Sequence, residues 1–341
     1  MRLIYSLIYA LCLFVFSTTL TAAQREEPIV YLSLEGGGMH MVAALETIRR
    51  IEQAANRPIS ELVDGIIGLS SGAVIAAHLL VPNEEGKAKW SAENLKKEFS
   101  STLVNGALGS ALGGSISNFF GSKVKTFRTL FNENLGNISM KESLKRLIII
   151  SYNSQTKTQG VFDSRDERHH KIPIWNIAQA SVSTVANKMG IEWSAGPTTI
   201  QFDTDSLSPG WIDGGYGLHE PIYELLANKL TQECPEREVV IYSFGSGSSS
   251  FKGSSKPDFA VATWKKNNIS IVRFQPIYND IDPTWLNIDN WYLMLLNPRP
   301  NNIDTIERHF FSEELLNSAE YAAMFTRLTG PTDRQAAGNI Q

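Results

Sequence analysis

A serine stands at the centre of the pentapeptide Gly68-Leu69-Ser70-Ser71-Gly72, which fits the pattern G-x-S-x-G. An apolar run precedes this pentapeptide and a nearly all-apolar run comes after it, so the pattern predicts a tight turn between a strand and a helix. Such a turn projects the middle serine, and the start of the following helix favours negative charge by about 0.3–1 kcal/mol. The pentapeptide therefore predicts Ser70 as the nucleophile of an acyl transfer. Ser71 is the competing serine, but it lies off the centre of the pattern.

Three consecutive glycines, Gly36, Gly37 and Gly38, come shortly after an apolar stretch that ends at Leu34. Glycine weakens both strands and helices, so a run of three marks either a flexible turn or a place where another group approaches the backbone closely. Acyl transfer through a serine creates an oxyanion, and each backbone N–H aimed at that anion is worth about 3–4 kcal/mol. In a parallel sheet the glycine turn and the Ser70 turn would leave from the same edge. We therefore expect these glycines to form an oxyanion hole.

A serine hydroxyl must lose its proton as it attacks, which requires a base. Histidine is the usual base, but none of the six histidines stands in a pattern that indicates catalysis. They are His40, His78, His169, His170, His219 and His309. The segment Trp211-Ile212-Asp213-Gly214-Gly215 is more suggestive, because it places a carboxylate at a turn between an apolar residue and two glycines. An ordinary Asp-Gly turn is the alternative explanation of this segment.

Apolar periodicity predicts the elements that would position these residues. Short apolar runs predict strands at Ile29–Leu34, Val63–Leu69, Leu147–Ser151, Gly160–Phe162, Thr199–Phe202 and Val239–Phe244. Helical spacing predicts helices through Met41, Ala44, Leu45, Ile48 and Ile51, and over Ser71–Leu80, Trp175–Val185, Leu218–Leu230 and Ser312–Leu328. Strands that alternate with helices favour an α/β fold with a mostly parallel central sheet. Within the apolar helix after Ser70, we expect His78 to be a packed core histidine.

The chain has 341 residues and begins with the three parts of a secretory leader. These are a basic start at Met1-Arg2, an uncharged apolar run over Leu3–Phe16, and small residues before Gln24. We predict a signal peptide over residues 1–23, a single domain over residues 24–330 and a polar tail over residues 331–341. The protein would then be secreted or periplasmic. An uncleaved anchor is the alternative, although the apolar run is shorter than the about 20 residues that a membrane span needs.

Charge and cysteine content exclude several classes of protein. The formal net charge is −4 and there is no basic run, which disfavours a nucleic acid as partner. Removal of the leader leaves Cys234 as the one cysteine, so no disulfide can form within the chain. No cluster of cysteine and histidine has the spacing of metal ligands, and we expect neither a metal nor a cofactor.

The stretch from Phe99 to Ser122 carries no charge and many glycines. A mobile surface loop would have this composition. A lid over the site, or an apolar face that meets lipid, would have it as well.

Taken together, the three motifs resemble those of the patatin-like phospholipase family. That family is described by a glycine-rich D-G-G-G-x-R-G loop, a G-x-S-x-G elbow and a D-G-G or D-G-A motif, and the resemblance covers roughly residues 29–247. It implies a three-layer α/β sandwich, a Ser-Asp dyad without histidine, no cofactor, and a phospholipid or other acyl lipid as substrate, met at a membrane surface. Carried over by position, Ser70 is the nucleophile and Asp213 is the base that also orients it. Gly36, Gly37 and Gly38 supply the oxyanion donors.

The glycine loop departs from the family pattern at three positions. Glu35 replaces an aspartate, His40 stands where the family has arginine, and Met41 stands where it has glycine. An arginine is always charged, whereas a histidine near its unperturbed pKa of about 6.5 is mostly neutral at neutral pH. His40 is therefore a candidate modifier of the loop, which would slow the reaction or favour mild acid. The A-S-V-S-T-V-A segment after Ala178 also matches the family's serine-rich helix only loosely and lacks its proline.

Three functions remain open from the sequence. The first is an exported lipid acyl hydrolase that cleaves fatty-acyl esters of phospholipids. The second is an esterase with a Ser-His-Asp triad, in which His309 would be the late histidine. The third, suggested by His40 and Met41, is a weak or inactive lipid- or partner-binding member of the same fold.

Overall fold

The computed structural model describes most of the predicted domain. The described residues are 27–99, 127–183, 186–188, 191–193, 198–202, 207–217, 222–245, 261–275, 307 and 310–330. The predictions for the signal peptide, for residues 100–122 of the uncharged stretch and for the polar tail lie outside these ranges, as do His219 and His309. Among the described residues, no helix has both the length and the apolar character needed to cross a bilayer.

Strands and helices alternate along the described chain, as the periodicity predicts. The strands are β1 (Ile29–Leu34), β2 (Gly65–Leu69), β3 (Arg146–Asn153), β4 (Thr158–Asp163), β5 (Ala186–Lys188), β6 (Ile191–Trp193), β7 (Thr198–Gln201), β8 (Leu207–Asp213), β9 (Val239–Phe244), β10 (Val261–Lys266) and β11 (Ile269–Phe274). The helices are α1 (Val42–Ala55), α2 (Ser71–Leu80), α3 (Phe127–Leu135), α4 (Ile174–Val182), α5 (Ile222–Glu233), α6 (Glu313–Leu316) and α7 (Ala319–Thr329), and residues 92–99 are also helical. A 3-10 turn, Gly38–Met41, leads directly into α1.

Nine of the described strands form a mostly parallel sheet in the order β10-β11-β9-β1-β2-β3-β8-β7, with β4 also paired to β3, and β5 and β6 form a separate two-stranded sheet. Its centre, β11-β9-β1-β2-β3, is parallel throughout. β8 and β4 both run antiparallel to β3. β4 lies along one edge of β3, while the other edge pairs first with β2 and then with β8. The ends of β2 and β8 are therefore brought together along a single strand.

Helices cover both faces of the sheet, so the fold is a three-layer α/β sandwich and the predicted fold class is confirmed. Neighbouring residues on one strand enter different cores, because successive side chains of a strand point to opposite faces. Leu32 packs into the core that includes α1, α2, α4 and α7, whereas Tyr31 packs into the core that includes Leu226 and Leu230 of α5. Burial of each large apolar side chain in such a core contributes about 1.5–3 kcal/mol.

The C-terminal helical region differs from its prediction. A single helix over Ser312–Leu328 is wrong, because α6 and α7 are separate helices. The break coincides with Ser318, whose hydroxyl oxygen accepts a hydrogen bond from the backbone N–H of Tyr321. A serine that caps a new helix start competes with continuation of the preceding helix. The apolar spacing extends across the break because both helices present one face to the same core.

Candidate active site

The predicted nucleophile lies in a sharp turn between β2 and α2. Ser70 has φ 52° and ψ −127°, which a residue with a side chain adopts only when its surroundings impose it. Close backbone packing imposes it here: a Cβ added to Gly72 would lie 2.1 Å from the carbonyl oxygen of Leu34. α2 thus begins directly against the end of β1. Ser70 is held at the carboxyl edge of the parallel strands, where the G-x-S-x-G pattern places it.

Ser70 and Asp213 are in direct hydrogen-bond contact. Ser70 Oγ donates to Asp213 Oδ2 over 2.6 Å. Ser70 is 9% exposed and Asp213 is 6% exposed, so the contact is shielded from bulk water. The predicted nucleophile and the predicted base are therefore adjacent in the fold. The base candidate reaches the proton that it would have to remove without any relay.

Backbone contacts on both sides hold the Asp213 carboxylate in place. Its Oδ1 accepts a hydrogen bond from the backbone N–H of Gly215 over 2.8 Å. The backbone N–H of Asp213 donates to the carbonyl oxygen of Ser183 over 2.7 Å. Burial raises the pKa of Asp213 to about 6, and the hydrogen bonds from Ser70 and Gly215 only partly oppose this rise. The carboxylate is therefore a stronger base than an exposed aspartate, yet still ionised at neutral pH.

The C-terminal end of α4 supplies a positioning contact that the sequence does not predict. Ser181 Oγ accepts a hydrogen bond from the backbone N–H of Ser70 over 2.8 Å and donates to the carbonyl oxygen of Ile150 over 2.6 Å. Ser181 and Ser183 thus bond to Ser70 and Asp213 respectively. The serine-rich segment after Ala178 was the available signal, but its match to the family pattern is loose. Spacing within that segment does not reveal that Ser181 bonds to a residue 111 positions away.

The glycine loop lies beside the serine turn. A Cβ added to Gly36 would lie 2.6 Å from Ser70 Cβ and 3.4 Å from Ser70 Oγ, so a side chain at this position would occupy the space next to the nucleophile. Gly37 has φ 141° and Gly38 has φ 59°, values that glycine adopts at little cost. The loop therefore passes directly against the Ser70 turn before α1 begins. The role of these backbone N–H groups as oxyanion donors stays a prediction.

The two unusual residues after the glycines are both buried. Met41 is 0% exposed and belongs to the core beneath α1. Its substitution for a glycine is thus accommodated by core packing. His40 is 7% exposed, and its backbone N–H donates to the carbonyl oxygen of Gly37 over 3.2 Å, which closes the turn. Both residues help to fix the start of α1, immediately after the loop.

His78 is the packed core histidine that the sequence predicts. It lies in α2 and is 1% exposed, with its ring edge-on to Trp90 and Phe131. Burial lowers the pKa of His78 to about 4, so it is neutral at neutral pH. Its Nδ1 is 2.8 Å from the carbonyl oxygen of Val74, one turn earlier in the same helix. This histidine supports the helix behind Ser70 and has no contact with the hydroxyl.

A buried serine and aspartate beside a glycine loop, at the edge of a three-layer α/β sheet, suit serine-dependent acyl transfer. The sequence model of the patatin-like phospholipase family matches residues 32–226, more than half of the chain. The chain therefore belongs to the patatin-like phospholipase family, which confirms the resemblance seen in its motifs.

The chain is similar to several named members of this family. It is 25% identical over 162 residues to patatin group D-2 of Solanum tuberosum, covering 44% of this chain and 40% of that protein. It is 22% identical over 236 residues to patatin-like protein 2 of Arabidopsis thaliana, covering 60% and 53%. A stretch of 45 residues is 42% identical to calcium-independent phospholipase A2-gamma of Homo sapiens, covering 13% and 6%. The matched regions thus span about half or less of each relative's length.

Two solved structures are also similar to this fold. Human GIVD cytosolic phospholipase A2, in complex with methyl γ-linolenyl fluorophosphonate, matches with a TM-score of 0.45 at 11% identity, covering 91% of this chain and 59% of that one. VipD from Legionella pneumophila matches with a TM-score of 0.34 at 12% identity, covering 64% and 50%.

Proposed function

We propose that this protein is an exported lipid acyl hydrolase that cleaves fatty-acyl esters of phospholipids through a Ser70–Asp213 dyad. The observation that carries the proposal is the buried hydrogen bond of 2.6 Å from Ser70 Oγ to Asp213 Oδ2. A nucleophile that contacts its base directly, with the base itself oriented by a third group, is the arrangement that covalent catalysis requires. Here the third group is the backbone N–H of Gly215.

In the acylation step Ser70 Oγ attacks the carbonyl carbon of the ester while Asp213 takes the hydroxyl proton. The carbonyl electron pair moves onto the carbonyl oxygen, which becomes the oxyanion. Backbone N–H groups of Gly36, Gly37 and Gly38 stabilise this anion. The intermediate collapses, the bond to the lysolipid oxygen breaks, and Asp213 returns the proton to that oxygen. The products of this step are a lysolipid and an acyl ester on Ser70.

Deacylation follows the same steps with water as the nucleophile. Asp213 takes a proton from the water molecule as its oxygen attacks the acyl carbon, and the glycine N–H groups again stabilise the oxyanion. The bond to Ser70 Oγ then breaks, Ser70 regains a proton from Asp213, and the fatty acid leaves. A single carboxylate with a pKa of about 6 suits both halves of the cycle, because it accepts and returns a proton near neutral pH.

The substrate class and the location rest on separate support. Lipid acyl esters are favoured by membership of the patatin-like phospholipase family, and one relative is named a phospholipase A2. Export is favoured by the basic, apolar and small-residue pattern over residues 1–23. The uncharged stretch from Phe99 to Ser122 suits contact with a membrane surface or with acyl chains.

A lipid panel assayed with matched variants tests the proposal. Wild type should release fatty acid from at least one class of phospholipid, with products resolved by mass spectrometry. Ser70→Ala and Asp213→Asn should each abolish release. Ser71→Ala is the matched control, because Ser71 is the neighbouring buried serine and its Oγ has no hydrogen-bond partner in the described part of the chain. It should retain wild-type activity.

The rival mechanisms predict different outcomes of the same panel. Full activity of Ser70→Ala or of Asp213→Asn rejects the dyad. A Ser-His-Asp triad predicts that His309→Ala collapses activity, whereas the dyad predicts little change. A binding protein without turnover predicts no release from any lipid by wild type.

A further inference from the structure

Glu35, the residue directly before the glycine loop, forms an ion pair with Arg273 of β11. Arg273 Nη1 and Nη2 donate to Glu35 Oε1 and Oε2 over 2.5 and 2.7 Å. Both side chains are 15% exposed, so the pair is largely shielded from water. Ser243 Oγ also donates to Glu35 Oε1 over 3.3 Å. A two-bond pair between a guanidinium and a carboxylate fixes direction as well as distance, since both groups are planar.

The strand register explains how Arg273 reaches Glu35. Ser33 of β1 pairs with Ser243 of β9, and Ser243 pairs in turn with Arg273 of β11. Glu35 lies two residues beyond Ser33, so it continues on the same face just past the end of β1. Arg273 therefore extends across the end of β9 to meet it. In this position Arg273 Nε also donates to Gln275 Oε1 over 2.9 Å.

The Arg273 side chain can lie across the end of β9 because the residue there, Gly245, has no side chain. A Cβ added to Gly245 would lie 2.9 Å from Arg273 Nη2 and 3.1 Å from Gln275 Oε1. Both are ends of flexible side chains, so an alanine at this position would displace them without disturbing the backbone. Gly245 comes directly after β9, in the segment that resembles the family's S-L-G-T-G strand end.

The ion pair matters to the reaction because Glu35 directly precedes the glycine loop. Gly36 lies against Ser70, and Gly36, Gly37 and Gly38 are the predicted oxyanion donors. A run of glycines has no side chains of its own to restrict its backbone. Its geometry therefore depends strongly on its two ends, where α1 is packed in the core on one side and Glu35 is bonded on the other. Donors that stabilise an oxyanion must be positioned before the charge develops.

We propose that Arg273 is a positioning residue that holds the glycine loop in its catalytic geometry through Glu35. The proposal rests on the proposed function and extends it to a residue outside the region that the family model matches. It also accounts for a departure from the family pattern, because the extra methylene of glutamate over aspartate lengthens the reach toward β11.

Five variants and one control test this role, the fifth being Arg273→Lys. Arg273→Met and Glu35→Gln each break the ion pair, and the double variant should be no worse than either single one, because both remove the same interaction. Gly245→Ala should displace the guanidinium while the pair's residues are unchanged. Arg57→Met is the control, since it removes an exposed arginine–carboxylate pair with Glu61 that has no contact with the loop.

Two readouts separate positioning from a merely structural role. With a soluble acyl ester, kcat of the ion-pair variants should fall about 10- to 100-fold while KM stays within about twofold, because misplacement by about 1 Å affects the transition state most. Hydrogen exchange of peptides covering residues 35–41 should become faster in the same variants by more than exchange of peptides from β2 and β3, which report any general loss of stability. Arg273→Lys, which can keep one of the two bonds, should lose less of kcat than Arg273→Met.

The outcomes distinguish this proposal from the proposed function. Unchanged exchange in Arg273→Met, or faster exchange with unchanged kcat in an active enzyme, overturns the positioning role. Faster exchange in a protein whose wild type hydrolyses no ester supports the loop restraint and rejects the hydrolase instead. An effect of equal size in Arg57→Met also overturns the positioning role, because the loss would then be general.

Discussion

Ser70 and Asp213 lie 143 residues apart in the sequence, yet their side chains meet because β2 and β8 pair with the same edge of β3. Leu69, the last residue of β2, pairs with Ile150, and Asp213, the last residue of β8, pairs with the next residue, Ser151. β2 arrives parallel to β3 and β8 arrives antiparallel, so the two strands end facing one another. The separation of the proposed nucleophile and base is therefore set by backbone hydrogen bonds to a buried strand.

The pH dependence of hydrolysis should report the ionisation of Asp213. The base must be deprotonated, and burial raises its pKa to about 6. We expect kcat/KM to rise about tenfold per pH unit below the pKa and to level off above it. A rate profile with a soluble ester, measured from mild acid to mild alkali, provides the check. A rate that falls as the pH rises through about 6 would contradict this assignment.

Replacing Asp213 by asparagine should make the protein more stable at neutral pH. The folded pKa is raised from 3.8 to about 6, so keeping the buried carboxylate charged costs the folded state about 3 kcal/mol. Asparagine can still accept from the Gly215 N–H and donate to Ser70 Oγ, so the variant should unfold at higher urea concentration.

The stability gained by Asp213→Asn should depend on pH in a defined direction. The unfolded state already carries a charged carboxylate above 3.8, whereas the folded state holds its proton up to about pH 6. The penalty is therefore fully present above the folded pKa and absent below the unfolded one, so the advantage of Asp213→Asn should shrink as the pH falls. An advantage that grows in acid, or a variant less stable than wild type at neutral pH, would contradict the raised pKa.

Removal of the Ser181 hydroxyl should affect both stability and rate. Ser181→Ala leaves the backbone N–H of Ser70 and the carbonyl oxygen of Ile150 without their present partner. Each unsatisfied buried group costs about 1–3 kcal/mol, and a relaxed turn no longer holds Ser70 in its constrained conformation. We expect a lower unfolding free energy together with a lower kcat. Wild-type kcat in the folded variant would show that the turn is held without this contact.

A methyl group at Gly36 should block the site. In Gly36→Ala the new Cβ would lie 2.6 Å from Ser70 Cβ, so the loop and the serine turn would have to move apart. The loss of even one aligned oxyanion donor lowers kcat by about 10²–10³-fold. Steady-state kinetics measures the loss, and circular dichroism checks that the secondary structure is retained. Near-normal kcat in a folded Gly36→Ala would place the oxyanion donors elsewhere.

The parts of this fold that the sequence predicts are those with a local signal. β1 and the apolar α2 have the predicted bounds, because a continuous apolar run marks each of them. The first run ends shortly before the three glycines, and the second ends shortly before Pro82. β8 was not predicted, since Pro209 and Gly210 interrupt it and its opening residues are exposed. Strand pairing, rather than propensity, makes it a strand.

The residues of the candidate site also differ in whether the local sequence reveals them. Ser70, Asp213 and the three glycines stand in motifs whose residue types and spacing suit acyl transfer, so they could be singled out from the sequence. Arg273 could not, because its partner lies 238 residues away and a lone arginine on a strand carries no local signal. Contacts of this kind appear only once the order of the strands is known.

Active-site labelling tests the central claim most directly. A fluorophosphonate probe should form one covalent adduct, located on Ser70 by peptide mass spectrometry. Labelling should persist in Ser71→Ala, slow strongly in Asp213→Asn and vanish in Ser70→Ala. No adduct on folded wild type, or an adduct on any other serine, would contradict the dyad.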